Sequence, residues 1–293
     1  MSLYQRIRLV VLFMLCAYQA LANADDRLQI SYPELPKEDA TFQPSLHYLE
    51  KLLVLALDNS GYPYELRPVS VGVISEKRSH NYLTVERYKV HWMMTSAFHE
   101  ESLIPIKIPL YKGLIGWRIF LIRTSDINRF SNLSDIDALR KENAGQAHDW
   151  PDTTILKNNG FSVVPMYSSE GRFNFLYRER CDYIPRSVLE IWKDLASAKG
   201  EHISVETTLA LHYPAAYYFF VAPGETEIAT AIEQGLHNAI QKGEFEKLFR
   251  QYFLTDIQRA NLKNRRIFDV ENPLFSGSDV LQNKRLWFNP EAY

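Results

Sequence analysis

Residues 114–122 read LIGWRIFLI and Tyr217–Val221 reads YYFFV, two apolar runs set far apart in the chain. A short, nearly unbroken apolar run is the mark of a strand buried on both faces, as in parallel sheets covered by helices. Around each run, strand-like and helix-like patterns alternate. That order predicts an α/β fold with mainly parallel sheets. A linear pair of domains would show a polar linker. Here the chain instead passes between its two series inside apolar strands, once near 117–121 and again near 217–221. Two such crossings insert one lobe in the other, and a double hinge of this kind can close two lobes around a ligand.

The first series begins with a strand at 28–32 (LQISY), ended by Pro33. A helix over 44–59 is marked by Leu46, Leu49, Leu53 and Leu57 and closed by Gly61. A strand at 64–69, a weaker helix at 75–87 and a strand at 89–94 (KVHWMM) follow. The second series opens with a short helix at 133–139, capped by Ser131 or Asn132. Trp150-Pro151-Asp152 starts another helix, which stops at Asn159-Gly160. Strands at 161–166, 181–184 and 203–209 then alternate with helices at 173–180 and 187–196. After the second apolar run, Ile228, Ile232, Leu236 and Ile240 mark a long helix that Gly243 breaks. Phe245, Leu248, Phe249 and Tyr252 line another, and a turn-rich tail carrying Asn272-Pro273 and Asn289-Pro290 wraps the surface.

The amino terminus reads as a secretory leader. Arg6 and Arg8 precede the apolar run 9–17 (LVVLFMLCA), and the small-x-small patterns Ala20-Leu21-Ala22 and Ala22-Asn23-Ala24 follow. The run is short for a span of about 30 Å, so a cleaved signal peptide over 1–22, with a second cut site after Ala24, is expected rather than an anchor. Leu15 before Cys16 argues against lipidation. The mature chain is then periplasmic. An apolar share of 46 % and an aromatic share of 13 % describe a globular chain rather than a disordered one. A net charge of −2 and no basic run with interleaved aromatics disfavour nucleic-acid binding. Cys181 alone survives cleavage, so no internal disulfide forms, and no Cys/His spacing offers a metal cage.

Four stretches resemble the family-3 solute-binding proteins, which have the type II periplasmic binding fold. They are Val90–Met94 followed by Thr95, where the family has a Thr-x-x-Arg-like turn; Ile108-Pro109-Leu110-Tyr111 leading into 114–122; Arg180-Cys181-Asp182, like a Gly-Arg-x-Asp strand; and 228–253 with Gly243. The resemblance spans most of the mature chain. It implies two lobes, with residues 25–117 and 221–293 forming lobe 1 and residues 118–220 forming lobe 2. Two departures alter the function it implies. Amino-acid receptors of the family grip the ligand's α-carboxylate with the arginine of the Thr-x-x-Arg turn, a bidentate task for a guanidinium. In this chain that position falls on Phe98 or His99. Where the family places a carboxylate for the ligand's ammonium, the position is Ser187, beside Arg186. The standard α-amino-acid clamp therefore does not carry over.

Ligands of open α/β sheets bind beyond the carboxyl ends of strands, and that rule selects Tyr32, Trp92, Thr95, His99, His148, Trp150, Arg186 and Glu190 as ligand-binding candidates. Tyr32 is a packing face or a rim aromatic, Trp92 a pocket wall or core, and Thr95 a hydroxyl donor and acceptor. His148 and Trp150 precede a helix whose free N–H groups favour an anion, unless Asp149 or Asp152 merely caps it. Arg186 is the candidate cation for an acidic ligand group, with a salt bridge to Glu190 one turn away as its other role. The expected function is capture of a small polar solute between the lobes of a monomer, for a permease or a membrane sensor, with no metal or cofactor. A dehydratase-like periplasmic enzyme using His99, His148, Asp149 or Glu190 is one alternative. A sensory or interaction module without small-molecule binding is the other.

Overall fold

The structure, a computed structural model, describes residues 27–34, 43–72, 76–148, 150–167, 172–198, 202–275 and 278–293. The leader with its cut sites and Asp149 lie outside the described residues. The first lobe is built from β1 (Leu28–Glu34), α1 (Gln43–Asp58), β2 (Tyr64–Ser70), α2 (Glu76–Thr84), β3 (Val90–Met94), α3 (Ala97–Ser102) and β4 (Ile104–Ile106). β1 and β2 pair in parallel. The Lys89 N–H donates to the Ser31 carbonyl at 2.9 Å, which sets β1 beside β3. Pro33 sits inside the strand opposite Val69 instead of ending it. Tyr48, Leu49, Leu52, Leu53, Ala56 and Leu57 form the buried face of α1, at the spacing that a core-facing helix needs.

The chain leaves this lobe through a 3-10 turn at Leu114–Gly116 into β5 (Trp117–Arg123). There follow α4 (Ile127–Ser131), α5 (Ile136–Arg140), β6 (Asn143–Ala147), α6 (Pro151–Asn158), β7 (Ser162–Met166), α7 (Arg172–Tyr177), β8 (Tyr183–Ser187), α8 (Ile191–Ser197), β9 (Ile203–Val205) and β10 (Leu209–His212). The single strand expected at 203–209 is two. The Glu206 carboxylate accepts from the backbone N–H groups of Thr208 and Leu209, each at 2.7 Å, and turns the chain between them. β5 is central to this second sheet: it pairs with β8, β9 and β10, all antiparallel.

The return runs from Tyr213 to Ala216 and leads into β11 (Tyr217–Val221), which lies wholly between β3 and β4 in the first lobe's sheet. The described strands of that lobe thus form two sheets, β1-β2 and β3-β11-β4, set side by side by the Lys89 bond. Helices α9 (Thr226–Gln241) and α10 (Glu244–Ala260) pack back on α1. The tail does more than wrap the surface. β12 (Arg266–Asp269) adds to the second lobe's sheet, parallel to β10, and α11 (Ser278–Gln282) precedes the last turns. Among the described residues no helix is long and apolar enough to cross a membrane.

Candidate functional site between the lobes

β3 ends at the mouth of a cavity of about 380 Å³. Its walls are Lys77, Met94, Thr95, Ser96, Phe98 and His99 of the first lobe, Pro151 at the start of α6 in the second, and Leu274 of the tail. Volumes of about 300 Å³ and upward suit a small ligand. The local sequence explains the first-lobe wall. The Thr95 N–H still bonds across the sheet, to the Ala216 carbonyl at 2.9 Å. Ser96 then caps α3, its side chain accepting from the His99 N–H. The Thr95 hydroxyl donates to Glu100 Oε1 at 2.5 Å, and Glu100 also takes Lys107 Nζ at 2.9 Å.

At the turn where the family resemblance expects an arginine, the two residues divide the space. Phe98 is 53 % exposed and His99 only 4 %. The Met94 carbonyl, which can only accept, lies 3.0 Å from His99 Nδ1. The neutral ring therefore carries its proton on Nδ1 and keeps Nε2 as an acceptor. Burial lowers the His99 pKa. His80 stacks on His99 at 5.3 Å and lies tilted against Phe98 at 4.4 Å. His91, buried behind them, is pushed down to about 3 by burial and by His99. No permanent cation occupies this turn.

Beside Pro151, the second lobe concentrates charge in residues that do not themselves line the cavity. Arg118, near the start of β5, lies 2.5 Å from Asp152 Oδ1 and 3.7 Å from Glu190, with its guanidinium 5.6 Å from the Tyr213 ring. Tyr213 donates its hydroxyl to the same Asp152. Arg186, at the end of β8, is bound to Asp194 and reaches Glu190 at 3.2 Å, while its guanidinium covers the Trp150 ring at 4.6 Å. Arg118 and Arg186 are each 3 % exposed, and Asp152 and Asp194 each 5 %. Burial opposes the Arg118 charge, but Asp152, Tyr213 and Glu190 outweigh it and raise its pKa. The two guanidiniums are thus already committed to three carboxylates.

Of the eight candidates, Trp150, Arg186 and Glu190 meet in this cluster, and Thr95 and His99 meet in the cavity wall. Tyr32 lies at mid-strand, 6.5 Å from Trp92, which is itself buried against Phe219. That pair does not line the cavity. His148 lies 4.7 Å from the exposed ring of Tyr167, outside the lining. Arg118, Asp152, Asp194, Tyr213 and Leu274 were not among the candidates. A signal existed for some of them: Arg118 is the lone charge in LIGWRIFLI, and Arg186, Glu190 and Asp194 recur at intervals of four. None existed for Leu274. Among the described residues no group of three or more His, Cys, Asp or Glu is placed to hold a metal ion.

No protein-family model and no curated protein matches the chain. Solved structures do. The chain is similar to the periplasmic VFT2 domain of BvgS from Bordetella pertussis, at 14 % identity over 80 % of this chain and 97 % of that one, with a TM-score of 0.55. It is similar to YtmK of Bacillus subtilis, described as a probable amino-acid ABC transporter extracellular-binding protein, at 12 % identity over 77 % of this chain and 97 % of that one, with a TM-score of 0.57. A histidine kinase sensor domain with similarity to periplasmic binding proteins matches at 14 % identity over 78 % and 97 %, with a TM-score of 0.52. The fold is therefore the two-lobed α/β fold of type II periplasmic binding proteins, as expected from the element order, but the sheets are not mainly parallel: β5 and β11, the two apolar runs, pair antiparallel throughout.

Proposed function

We propose that this chain is an exported, monomeric binding protein that captures a small polar solute between its lobes. The observation that carries this reading is a cavity lined by the end of β3 and α3 in the first lobe and by Pro151 of the second. A ligand there gains contacts only in the closed arrangement, and differential contact is what lets a ligand shift a two-state equilibrium. Thr95, Ser96 and His99 Nε2 supply hydrogen-bonding groups, Phe98 an aromatic face and Lys77 a cation at the rim. Trp150, Arg186 and Glu190 stiffen the second lobe beside Pro151, and Arg186 acts there chiefly through Asp194 and Trp150. The bound solute would go to a permease or be presented to a membrane sensor, since similar structures carry both kinds of description. We place the lobe boundaries at the strand entry near residue 117 and the return before residue 217, with the tail belonging to both lobes. The periplasmic address rests on the leader.

A thermal-shift screen of amino acids, organic acids, amines and small peptides tests this. A solute present at 100 times its Kd stabilises by about 2.7 kcal/mol, a displacement easily read in Tm. At least one stabilising solute is expected, with the shift reduced in Thr95→Val. A screen without a hit would leave the module without small-molecule binding as the better reading, and a hit indifferent to changes at Thr95 and Phe98 would place the solute outside this cavity.

A further inference from the structure

The last residues of the chain tie the two lobes together. β12 pairs along the whole of β10, from Leu209 opposite Arg266 to His212 opposite Asp269. Backbone bonds from Arg266 to Thr208 at 2.7 Å and from Val270 to His212 at 2.9 Å extend the pairing at both ends. β10 is the strand that leads into the hinge, and its other side is held by β5. Two further bonds fix the tail to the second lobe, between Asn159 Nδ2 and the Glu271 carbonyl at 2.7 Å and between the Glu271 N–H and Asn159 Oδ1 at 3.2 Å. Asn272 then donates to the Pro214 carbonyl within the hinge at 2.8 Å.

Past that point the tail changes lobes. Leu274 becomes a wall of the cavity. Phe275 and Trp287 meet edge to face at 5.9 Å and pack on the first lobe's outer core beside Val71, Leu83, Tyr88 and Met93. Trp287 also covers Gly113 at the other hinge entry. Gly113 has φ +73°, and a Cβ there would stand 2.3 Å from the indole, so glycine is needed for both the turn and the contact. The Phe288 N–H donates to the Lys112 carbonyl at 2.7 Å, and its ring meets Trp117 of β5 at 5.7 Å. The terminal Tyr293 donates its hydroxyl to Glu246 of α10 at 2.6 Å and lies 3.0 Å from Lys112 Nζ.

We propose that this segment is a brace across the hinge: anchored on both lobes and crossing beside both connecting strands, it restricts lobe opening and supplies the cavity's third wall. Two strands crossing between lobes can bend together about one axis. A third connection on a separate path, fixed at both ends, opposes that rotation because opening must break the Asn272 bond or the Phe275–Trp287 packing. The brace does not depend on what the cavity binds, so its test can fail while solute capture stands, and the reverse.

The test is the inter-lobe distance by pulsed electron paramagnetic resonance. Spin labels are placed at Lys51→Cys and Lys157→Cys, both exposed, in a Cys16→Ser background in which Cys181 is buried. Without ligand the intact chain should give one narrow distance. A six-residue Gly-Ser insertion between Glu271 and Asn272 keeps every packed residue while adding reach of about 20 Å. It should move the distribution to longer values and broaden it. Trp287→Ala, which removes one anchor and leaves β12 in place, should do the same to a smaller extent. A broad or two-peaked distribution in the intact chain would overturn the brace, as would variants whose distributions overlay it.

Discussion

The first-lobe wall of the cavity and the charged cluster beside Pro151 in the second lobe differ in how they use polarity. The second lobe packs two arginines and three carboxylates into one cluster, buried except at Glu190, where each charge lies against one of opposite sign. The first-lobe wall holds hydroxyls, an exposed phenyl ring and histidines that burial keeps neutral. Isolated buried charge is costly, so charges that are buried must be paired. The difference teaches that a guanidinium beside a cleft is not by itself a ligand site. Here the charges of the cluster are used up on one another, and the binding proposed above would fall to the first-lobe wall.

The comparison breaks most visibly at Arg186. Arg186→Met removes the guanidinium that Asp194, a buried carboxylate, and Glu190 share, and a loss of about 3–5 kcal/mol is expected in urea unfolding. The double change Arg186→Met, Asp194→Leu should recover most of it. Were Arg186 held ready for a solute instead, the single change would cost affinity and little stability. A smaller effect comes from the histidines behind the first wall. His91 has a folded pKa near 3 against an ordinary value near 6.5, so below pH 6.5 the unfolded chain takes a proton that the folded chain refuses. Its stabilising contribution is complete above that pH and is lost as pH falls, by up to about 1.4 kcal/mol per unit. Unfolding at pH 6.5 and at pH 5 should therefore separate the wild type from His91→Phe by about 2 kcal/mol in pH sensitivity.

Next is Trp150→Ala, which removes the ring under Arg186 and should cost about 0.5–2 kcal/mol by the same measurement. Smallest is Phe98→Ala. With half its surface in solvent the change should lie within about 0.5 kcal/mol of neutral for stability, while altering solute affinity. A large stability loss at Phe98 would move it from the cleft wall into the core and erase the contrast with the charged cluster.

The architecture was legible because it rests on local patterns. Apolar runs such as YYFFV and the four-residue spacing in α9 announce buried strands and helices wherever they end up. What escaped the sequence depends on distant partners. β6 reads NAGQA, without the bulky apolar residues that mark a strand, and it is ordered by pairing with β7 and β8. β12 exists as a strand because β10 offers an edge. In the site, the Arg186–Glu190 contact was readable from spacing along one segment, whereas Arg118 with Asp152 joins two separate elements of the second lobe. The Thr95 turn could be narrowed to Phe98 or His99. Only the Nδ1 bond to Met94, which turns the imidazole inward, decides which of them meets the solvent.

Titration calorimetry of the best solute from the screen against the wild type and Phe98→Trp tests the binding reading most directly. A larger ring at a half-exposed position should leave the fold intact and fill the cavity. Affinity should fall at least tenfold, about 1.4 kcal/mol, with thermal stability unchanged. An equal Kd in both proteins would place the solute elsewhere and contradict capture between the lobes.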